Sequence, residues 1–395
     1  MEIPGYLFLH PTDTIESLQN EHTATLNVGI KTELLNEVPG IPYEKGPCLK
    51  FPSQGQFHPM KYLQGLCKSI LLNGGQIYTE SHAGKIDGNY IEINNFKIKA
   101  NQIVVATNTP INNLFTIHTK QFPYRTYVIS QKIPKGRLPY ALWWDTGDQH
   151  SEWITHPYHY VRLQHFDDNY DLLICGGEDH KTGQPEREKK DADERYINLA
   201  NWTKQRFPEL EDVQFRWSGQ VMEPLDFLGF IGKNPDSANV YIVTGDSGNG
   251  ITHGTIAGIL ISDLINEKSN PWADLYSPNR INMKVVSDYL HEVSNMVFQY
   301  ADYLHKSEIS STIELDFNKG AIINHNALKV AVYRDLSGQL HAFNAICPHL
   351  GCLLKWNDDE KTFDCPCHGS RFTNLGVVIN GPAIDDLKQI EVRDL

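Results

Sequence analysis

Residues 347–352 read Cys-Pro-His-Leu-Gly-Cys and residues 365–370 read Cys-Pro-Cys-His-Gly-Ser. Each run offers one cysteine thiolate and one histidine imidazole, at the spacings C-x-H and C-x-x-H. Four of the seven cysteines of the chain fall in these two runs, and cysteines interleaved with histidine indicate a metal site. The candidate ligands are Cys347, His349, Cys365 and His368.

Zinc and iron both bind this set of ligands. Structural zinc usually takes ligands at C-x-x-C or H-x-x-x-H spacing on a finger or ribbon, which is not the spacing of these four residues. The two other cysteines, Cys352 and Cys367, occupy equivalent places in the two runs and can pair with each other. This additional pair of cysteines favours an iron–sulfur centre over zinc, and zinc stays as the alternative.

The sequence around the two runs predicts a small all-β domain over residues 307–395. Short alternating segments, such as 331–333 and 340–343, are separated by turn residues such as Ser337 and Gly338, which is typical of antiparallel strands. Residues 281–304 before them place apolar side chains on one helical stripe and predict a linker helix.

Residues 307–395 resemble a Rieske [2Fe–2S] domain, in which two cysteines hold one iron and two histidines hold the other. The resemblance implies that the four candidate ligands bind this cluster and that Cys352 and Cys367 form the structural disulfide of the cytochrome bc-type members. Rieske oxygenases usually lack this disulfide pair and need a separate iron site, so an oxygenase is disfavoured.

The same resemblance implies two outer-shell residues near the cluster. Pro382, in Gly-Pro-Ala, stands where the family's proline loop covers the cluster. Ser370 stands where the family has a serine whose hydroxyl donates toward cluster sulfur, but Phe372 replaces the tyrosine that supplies a second donor in high-potential members. We therefore expect a reduction potential below the top of the Rieske range of about −150 to +300 mV.

Upstream of residue 276 the sequence predicts a mixed domain. A helix is predicted over residues 58–73, because apolar side chains recur at spacings of three and four after a proline. Shorter elements follow from alternation and turn residues. They are a hairpin at 90–99, a strand at 102–106, an aromatic antiparallel sheet over 124–177 and a charged helix over about 188–207.

A strand at 239–244, a glycine loop at 245–250 and a helix at 251–266 follow one another. This order brings backbone N–H groups and the positive helix end to one point, where a phosphate or an electron-rich ring can bind. An ordinary tight turn is the alternative. The glycines are spaced G-x-G-x-x-x-G, which differs from the dinucleotide-binding pattern.

Together with segments 51–59 and 104–110, the segment 244–254 resembles the FAD-dependent D-amino-acid oxidase superfamily, in the branch fused to a Rieske domain. The resemblance implies an α+β fold: an α/β FAD-binding domain, incomplete in this chain, with an antiparallel substrate sheet, followed by the small all-β Rieske domain. We expect the boundaries 1–275, 276–306 for the linker helix, and 307–395. The implied flavin-binding residues are Thr107, Gly245, Gly248, Asn249, Gly250, Ile251, Thr252 and His253.

Two features depart from the family's pattern. Its members begin with a strand, a G-x-G-x-x-G turn and a helix that hold the FAD pyrophosphate, and roughly the first hundred residues of that plan are expected to be missing from this sequence. We therefore expect this chain by itself to hold FAD weakly or not at all and to show little oxidase activity. Where amino-acid oxidases carry Arg-Pro to bind a substrate carboxylate, this chain has Glu223-Pro224. An amine-like substrate is expected, with a surface role for Glu223 as the alternative.

The charge and the N-terminal sequence narrow the class of protein further. The net charge of −13 argues against nucleic acid as a partner. Pro4 interrupts the N-terminal sequence, which lacks a basic start, so we expect no signal peptide, no membrane span and a cytoplasmic location.

Two functions fit these observations. The first is a flavin-dependent oxidoreductase that oxidises an amine-like substrate and passes electrons singly to the Rieske cluster, and then to a redox partner protein or a small-molecule acceptor. The second is a Rieske electron-transfer protein, or a subunit that depends on a partner, whose flavin-like region is a non-catalytic docking scaffold. No catalytic residue is assigned.

Overall fold

The computed structural model describes residues 1–94, 96–112, 117–184, 190–235, 237–280, 312–325 and 328–391. The chain divides into two compact units. The first contains residues 1–77, 125–180 and 185–219, and the second contains residues 78–124, 181–184 and 220–395. The linker helix predicted over residues 281–304 lies outside the described residues, and the predicted domain boundaries stay predictions.

The described residues form four α-helices set among runs of consecutive strands. In chain order they are β1 (Glu2–Phe8), α1 (Ile15–Asn27), β2 (Glu33–Leu35), β3 (Cys48–Gly55), α2 (Pro59–Leu72), β4 (Ala83–Asp87), β5 (Tyr90–Ile93), β6 (Phe96–Lys99), β7 (Ile103–Val105), β8 (Gln121–Pro134), β9 (Leu142–Asp145), β10 (Tyr160–His165), β11 (Tyr170–Lys181), α3 (Ala192–Arg206), β12 (Val213–Pro224), β13 (Phe230–Lys233), β14 (Val240–Thr244), α4 (Gly250–Ile265), β15 (Lys319–His325), β16 (Leu328–Arg334), β17 (Leu340–Asn344), β18 (Lys355–Asn357), β19 (Thr362–Asp364), β20 (Arg371–Thr373) and β21 (Val378–Asn380). None of these helices is long and apolar enough to cross a membrane.

An eight-stranded sheet dominates the first unit, in the order β12-β8-β11-β10-β9-β1-β3-β2. The predicted antiparallel sheet over 124–177 is present as β8 to β11, but the whole sheet is mixed because β1 pairs with β9 in parallel, with Gly5 opposite Leu142. A Cβ atom at Gly5 would lie 2.8 Å from the Trp144 ring. Glycine at this position therefore lets the two strands approach.

The predicted charged helix is present as α3, and it packs on this sheet. The Asp191 side chain caps the first turn by accepting the Glu194 N–H, and Lys204 and Arg206 stand in the last turn, where they favour the helix dipole. Its buried side chains, Tyr196 and Leu199 among them, belong to the same core as Trp143 of β9. Helix α2, also predicted, has no fully buried side chain.

The second unit contains two kinds of structure. The first is a three-stranded sheet in the order β13-β14-β7, with β14 parallel to β7, and α4 packed against it. A meander of β4, β5 and β6, which includes the predicted hairpin, precedes it.

The second is the predicted all-β region. The strands form two sheets, β15-β16-β17 and β18-β19-β20-β21, with a core that includes Phe363 and Phe372. Every described strand pair in these two sheets is antiparallel.

Candidate metal and flavin sites

Two loops with the same backbone pattern carry the candidate metal ligands. In the first, after β17, the Cys347 carbonyl accepts the Gly351 N–H at 3.0 Å and the Cys347 N–H donates to the Cys352 carbonyl at 2.9 Å. In the second, after β19, Cys365 makes the same two bonds, with the Gly369 N–H at 3.0 Å and the Ser370 carbonyl at 2.8 Å. Both glycines have φ of +79°, which favours glycine. The similar sequences therefore fold into similar ligand loops.

The Cys347 and Cys365 thiols are buried and hydrogen-bonded to each other. The contact with Cys365 lowers the pKa of Cys347, and the backbone N–H of His349 and the Ser370 hydroxyl lower it further. The contact with Cys347 and burial raise the pKa of Cys365, whereas the hydrogen bond from the backbone N–H of His368 lowers it by less. Each sulfur thus receives backbone N–H donors, which stabilise a metal-bound thiolate.

The His349 and His368 rings face each other at right angles, with centroids 5.0 Å apart. Burial lowers the pKa of His349 to about 4. Burial, with His349 and His118 nearby, lowers the pKa of His368 to about 3. Both imidazoles are therefore neutral near pH 7, as metal ligation requires. Both ring nitrogens of His349 and Nδ1 of His368 are buried with no hydrogen-bond partner among the described residues.

The sulfur atoms of Cys352, Cys365 and Cys367 lie within 4.8 Å of one another. Cys352 and Cys367 are joined in a disulfide, as the sequence analysis predicts, so neither has a thiolate for a metal. The disulfide leaves Cys365 and Cys347 as the thiolate ligands and the two neutral histidines as the nitrogen ligands. These residues fit a [2Fe–2S] cluster of the Rieske type.

Ser370 and Pro382, the two residues predicted to lie near the cluster, are both buried. The fully buried Ser370 hydroxyl donates toward Cys347 and accepts the Ala383 N–H at 3.0 Å. This bond fixes the Gly-Pro-Ala segment that contains the buried Pro382. Phe372 is fully buried in the core of the all-β region.

A third histidine, His118, contacts the two candidate ligands, and the sequence analysis missed it. Its ring centroid lies 5.0 Å from that of His349 and 5.8 Å from that of His368. It belongs to the segment between β7 and β8, outside the all-β region. Nothing in the sequence near residue 118 marks it, because the contact depends on the fold of the second unit.

The end of β12 contacts the second ligand loop. Gln220 Nε2 donates to the Gly369 carbonyl at 3.0 Å, and the Thr182 hydroxyl donates to Gln220 Oε1 at 3.1 Å. A Cβ atom at Gly369 would lie 2.7 Å from both Gln220 and Pro123. Gly369 is therefore required by its backbone conformation and by this close contact.

The predicted flavin loop joins β14 to α4. Gly248, Asn249, Gly250 and Thr252 are exposed at the start of α4, and the Asn249 side chain does not cap the helix. An uncapped helix N-terminus lined by glycine can receive the electron-rich edge of a flavin. No described strand is joined to a helix by a G-x-G-x-x-G turn, so weak retention of FAD by this chain stays a prediction.

Three of the predicted flavin residues also have contacts within the protein, and their role at the flavin stays a prediction. A Cβ atom at Gly245 would lie 2.7 Å from Pro224, so the glycine is needed for packing. The buried His253 pairs through Nδ1 with the Asp246 carbonyl at 2.9 Å. The Thr107 hydroxyl donates to the Thr109 carbonyl at 2.7 Å. Ile251 is half-buried in the first turn of α4.

Glu223 lies beside the flavin loop. Its side chain accepts a hydrogen bond from the Ser247 hydroxyl, and the Ser247 N–H donates to the Met222 carbonyl at 3.2 Å. Only 6% of Glu223 is exposed. The surface role that the sequence left open for this residue is therefore wrong, and a carboxyl group lies at the loop.

Family models match both parts of the chain. Residues 1–264 match the FAD dependent oxidoreductase family (DAO), and residues 306–391 match the Rieske [2Fe-2S] domain. The putative Rieske 2Fe-2S iron-sulfur protein YhfW of Bacillus subtilis is 31% identical over 413 residues, which cover 99% of this chain and 75% of that protein. The cytochrome b6-f complex iron-sulfur subunit of Chlorobaculum thiosulfatiphilum is 38% identical over 85 residues, 22% of this chain and 46% of that subunit.

Solved structures resemble the larger part of the chain in fold. Glycine oxidase from Geobacillus kaustophilus aligns with a TM-score of 0.58 at 15% identity, over 71% of this chain and 76% of that one. L-proline dehydrogenase from P. horikoshii aligns with a TM-score of 0.55 at 16% identity, over 71% of this chain and 76% of that one. At this identity the likeness concerns the fold alone.

The match of residues 306–391 to the Rieske [2Fe-2S] domain decides between the two metals that the sequence left open. It supports a [2Fe–2S] cluster and not the zinc alternative.

Proposed function

Because the chain belongs to the FAD-dependent oxidoreductase family and carries a C-terminal Rieske [2Fe–2S] domain, we propose that it oxidises an amine-like substrate and passes the electrons singly to the cluster. FAD supplies two-electron oxidation of a C–H bond next to nitrogen, and the cluster supplies one-electron transfer. The thiolates of Cys347 and Cys365 and the imidazoles of His349 and His368 would hold the cluster. The start of α4 would face the flavin.

The end of β12 carries this proposal, because it contacts both sites within three residues. Gln220 donates to the Gly369 carbonyl in the second ligand loop, and Glu223 accepts from Ser247 in the flavin loop. All four residues belong to the second unit. A single strand end therefore fixes the metal-ligand loop and the flavin loop in one compact unit, as electron transfer between two resident cofactors requires.

The class of substrate rests on Glu223. A substrate carboxylate at the flavin loop would meet the carboxyl group of Glu223, and like charges at close range are unfavourable. Burial raises the pKa of Asp246, on the same loop, which favours the neutral acid and weakens its negative charge. The argument therefore depends on Glu223, whose carboxyl group favours a cationic amine over an amino-acid carboxylate as the group recognised at this loop.

The test uses protein that holds both cofactors under anaerobic conditions. Primary and secondary amines, matched with the amino acids that carry the same side chains, are added one at a time. Flavin absorption reports oxidation of the substrate, and the EPR signal of the reduced cluster reports transfer of single electrons. We expect amines to bleach the flavin and produce the EPR signal, and the matched amino acids to react more slowly.

Glu223→Gln is the variant for the substrate class. It keeps the size of the side chain and a hydrogen-bonding group for Ser247 but removes the charge, so the preference for amines over the matched amino acids should shrink. A flavin that no amine or amino acid reduces, in a protein whose cluster is intact, would contradict the proposal and favour the docking scaffold. An unchanged preference in Glu223→Gln would refute only the role of Glu223.

A further inference from the structure

His118 closes the edge of the metal site that His349 and His368 form. The three imidazole rings lie within 5.0 to 5.8 Å of one another, centroid to centroid, and meet at 70° to 90°. Only 1% of His118 and 3% of His368 are exposed, and His349 is half-buried. The ligand histidines are therefore packed against a side chain of the flavin-like region in the same unit.

The segment that carries His118 is fixed at both ends. Ile117 is fully buried in the core of the sheet that contains Ile103 of β7. At the other end, Gln121 Nε2 donates to the Thr244 hydroxyl at 2.9 Å, and that hydroxyl donates to the Asn108 carbonyl at 2.6 Å. His118 is therefore held against the ligand histidines by the sheet that also positions the flavin loop.

This segment also connects the metal site to the flavin loop. Three peptide bonds lead from His118 to Gln121, and one hydrogen bond leads from Gln121 to Thr244, the last residue of β14. Gly245, the first residue of the loop, packs against Gln121, because a Cβ atom there would lie 2.9 Å from Gln121 Oε1. From His118 to Thr244 the connection consists of covalent bonds and one hydrogen bond of 2.9 Å, and from His118 to the ligand histidines it is a ring contact.

We propose that His118 is a positioning residue that shields the histidine ligands from external reagents and links them, through Gln121, to the flavin loop. The cluster thus receives electrons through its histidines from the flavin of its own unit, and an external carrier does not dock there. This inference rests on the proposed transfer of electrons from flavin to cluster. The reduced flavin would lose its two electrons one at a time and release its proton to water. The iron pair would take the first electron and pass it to the redox partner or small-molecule acceptor before it takes the second, and no bond in the protein would form or break.

The shielding is tested without the flavin reaction. The oxidised cluster is mixed with dithionite in a stopped-flow instrument, and bleaching of its absorption gives the rate of reduction. His118→Ala should open the histidine edge and speed the reduction by about tenfold, a factor equivalent to ~1.4 kcal/mol. His118→Phe refills the space with a ring and should restore the rate of the unaltered protein. Equal rates in all three proteins would overturn the shielding.

The link is tested in the protein that holds both cofactors. Light and EDTA reduce the bound flavin, and the EPR signal of the cluster is followed with time. His118→Ala and Gln121→Ala should each slow reduction of the cluster by about tenfold. His341→Ala is the matched control, because His341 Nε2 pairs with Asp335 Oδ2 at 3.1 Å, in the hairpin between β16 and β17 and outside both ligand loops.

The outcomes separate this inference from the proposed function. Unchanged transfer in His118→Ala and Gln121→Ala would overturn the link while electron flow from flavin to cluster stands. A slowing of the same size in His341→Ala would also overturn it, since loosened packing would then be the cause. If reduced flavin does not reduce the cluster in the unaltered protein, the proposed function and the link both fail, and the dithionite experiment still decides the shielding.

Discussion

Replacing Ser370 by alanine tests how the protein sets the potential of its cluster. The buried hydroxyl donates toward the Cys347 sulfur and accepts the Ala383 N–H at 3.0 Å. Donation to a cluster sulfur stabilises the extra negative charge of the reduced state. A hydrogen bond to a charged group contributes about 1.5–3 kcal/mol. If half of this hydrogen-bond energy favours the reduced state over the oxidised state, its loss in Ser370→Ala lowers the reduction potential by about 30–60 mV. The conversion is ~59 mV for each ~1.4 kcal/mol in a one-electron couple.

Protein-film voltammetry of Ser370→Ala measures this fall. Thr373→Ala is the control, because the Thr373 hydroxyl accepts backbone N–H groups of Leu375 and Val377 in the same region. Ser370→Ala also leaves the buried Ala383 N–H without its acceptor, so the free energy of unfolding should fall by about 1–3 kcal/mol. A potential within about 10 mV of the unaltered protein, with the cluster retained, would refute the role of the hydroxyl as a donor.

Three further predictions concern the core and the ligands. Phe372→Tyr should raise the potential by adding a donor, and voltammetry showing no rise would mean that the new hydroxyl does not reach a cluster sulfur. Alanine at any one of the four ligands should abolish the Rieske EPR signal; these are Cys347, His349, Cys365 and His368. Alanine at any other free cysteine should leave the signal intact; these are Cys48, Cys67 and Cys175. Iron analysis of each variant is the check. Burial raises the pKa of Asp179 from 3.8 to about 6, so the folded state holds this proton more tightly. The Asp179 contribution to stability is therefore lost as pH rises from about 4 to 6, by an amount on the order of 3 kcal/mol. Urea unfolding should show Asp179→Asn gaining stability over the unaltered protein across this range, and parallel curves would contradict the assignment.

The metal site was predictable because its ligands are close in sequence. The spacing of Cys347 and His349, and of Cys365 and His368, places each pair on one loop, and only the meeting of the two loops depends on the fold. Helices α2 and α3 and the strands from β5 to β7 were also predictable, since local periodicity and turn residues mark them.

Long-range contacts were not predictable in the same way. Pro4 and Gly5 interrupt the alternation of strand β1, and its parallel pairing with β9 joins distant parts of the chain. His118 has no neighbour in sequence that indicates a site. The burial of Glu223 depends on Ser247 of the flavin loop. In each case the informative partner is distant in the sequence, so a single sequence carries no signal of it.

The matching hydrogen bonds of the two ligand loops bear on how the protein acquires iron. Each loop is closed by its own backbone, through Cys347 and Gly351 in one and Cys365 and Gly369 in the other, and the Cys352–Cys367 disulfide joins the two loops. The fold and the disulfide therefore carry part of the conformational entropy cost of bringing the two ligand loops together, and cluster binding has that much less to offset. Oxidation of Cys352 and Cys367 and binding of iron and sulfide are separate reactions of these loops, because neither disulfide sulfur is a thiolate ligand.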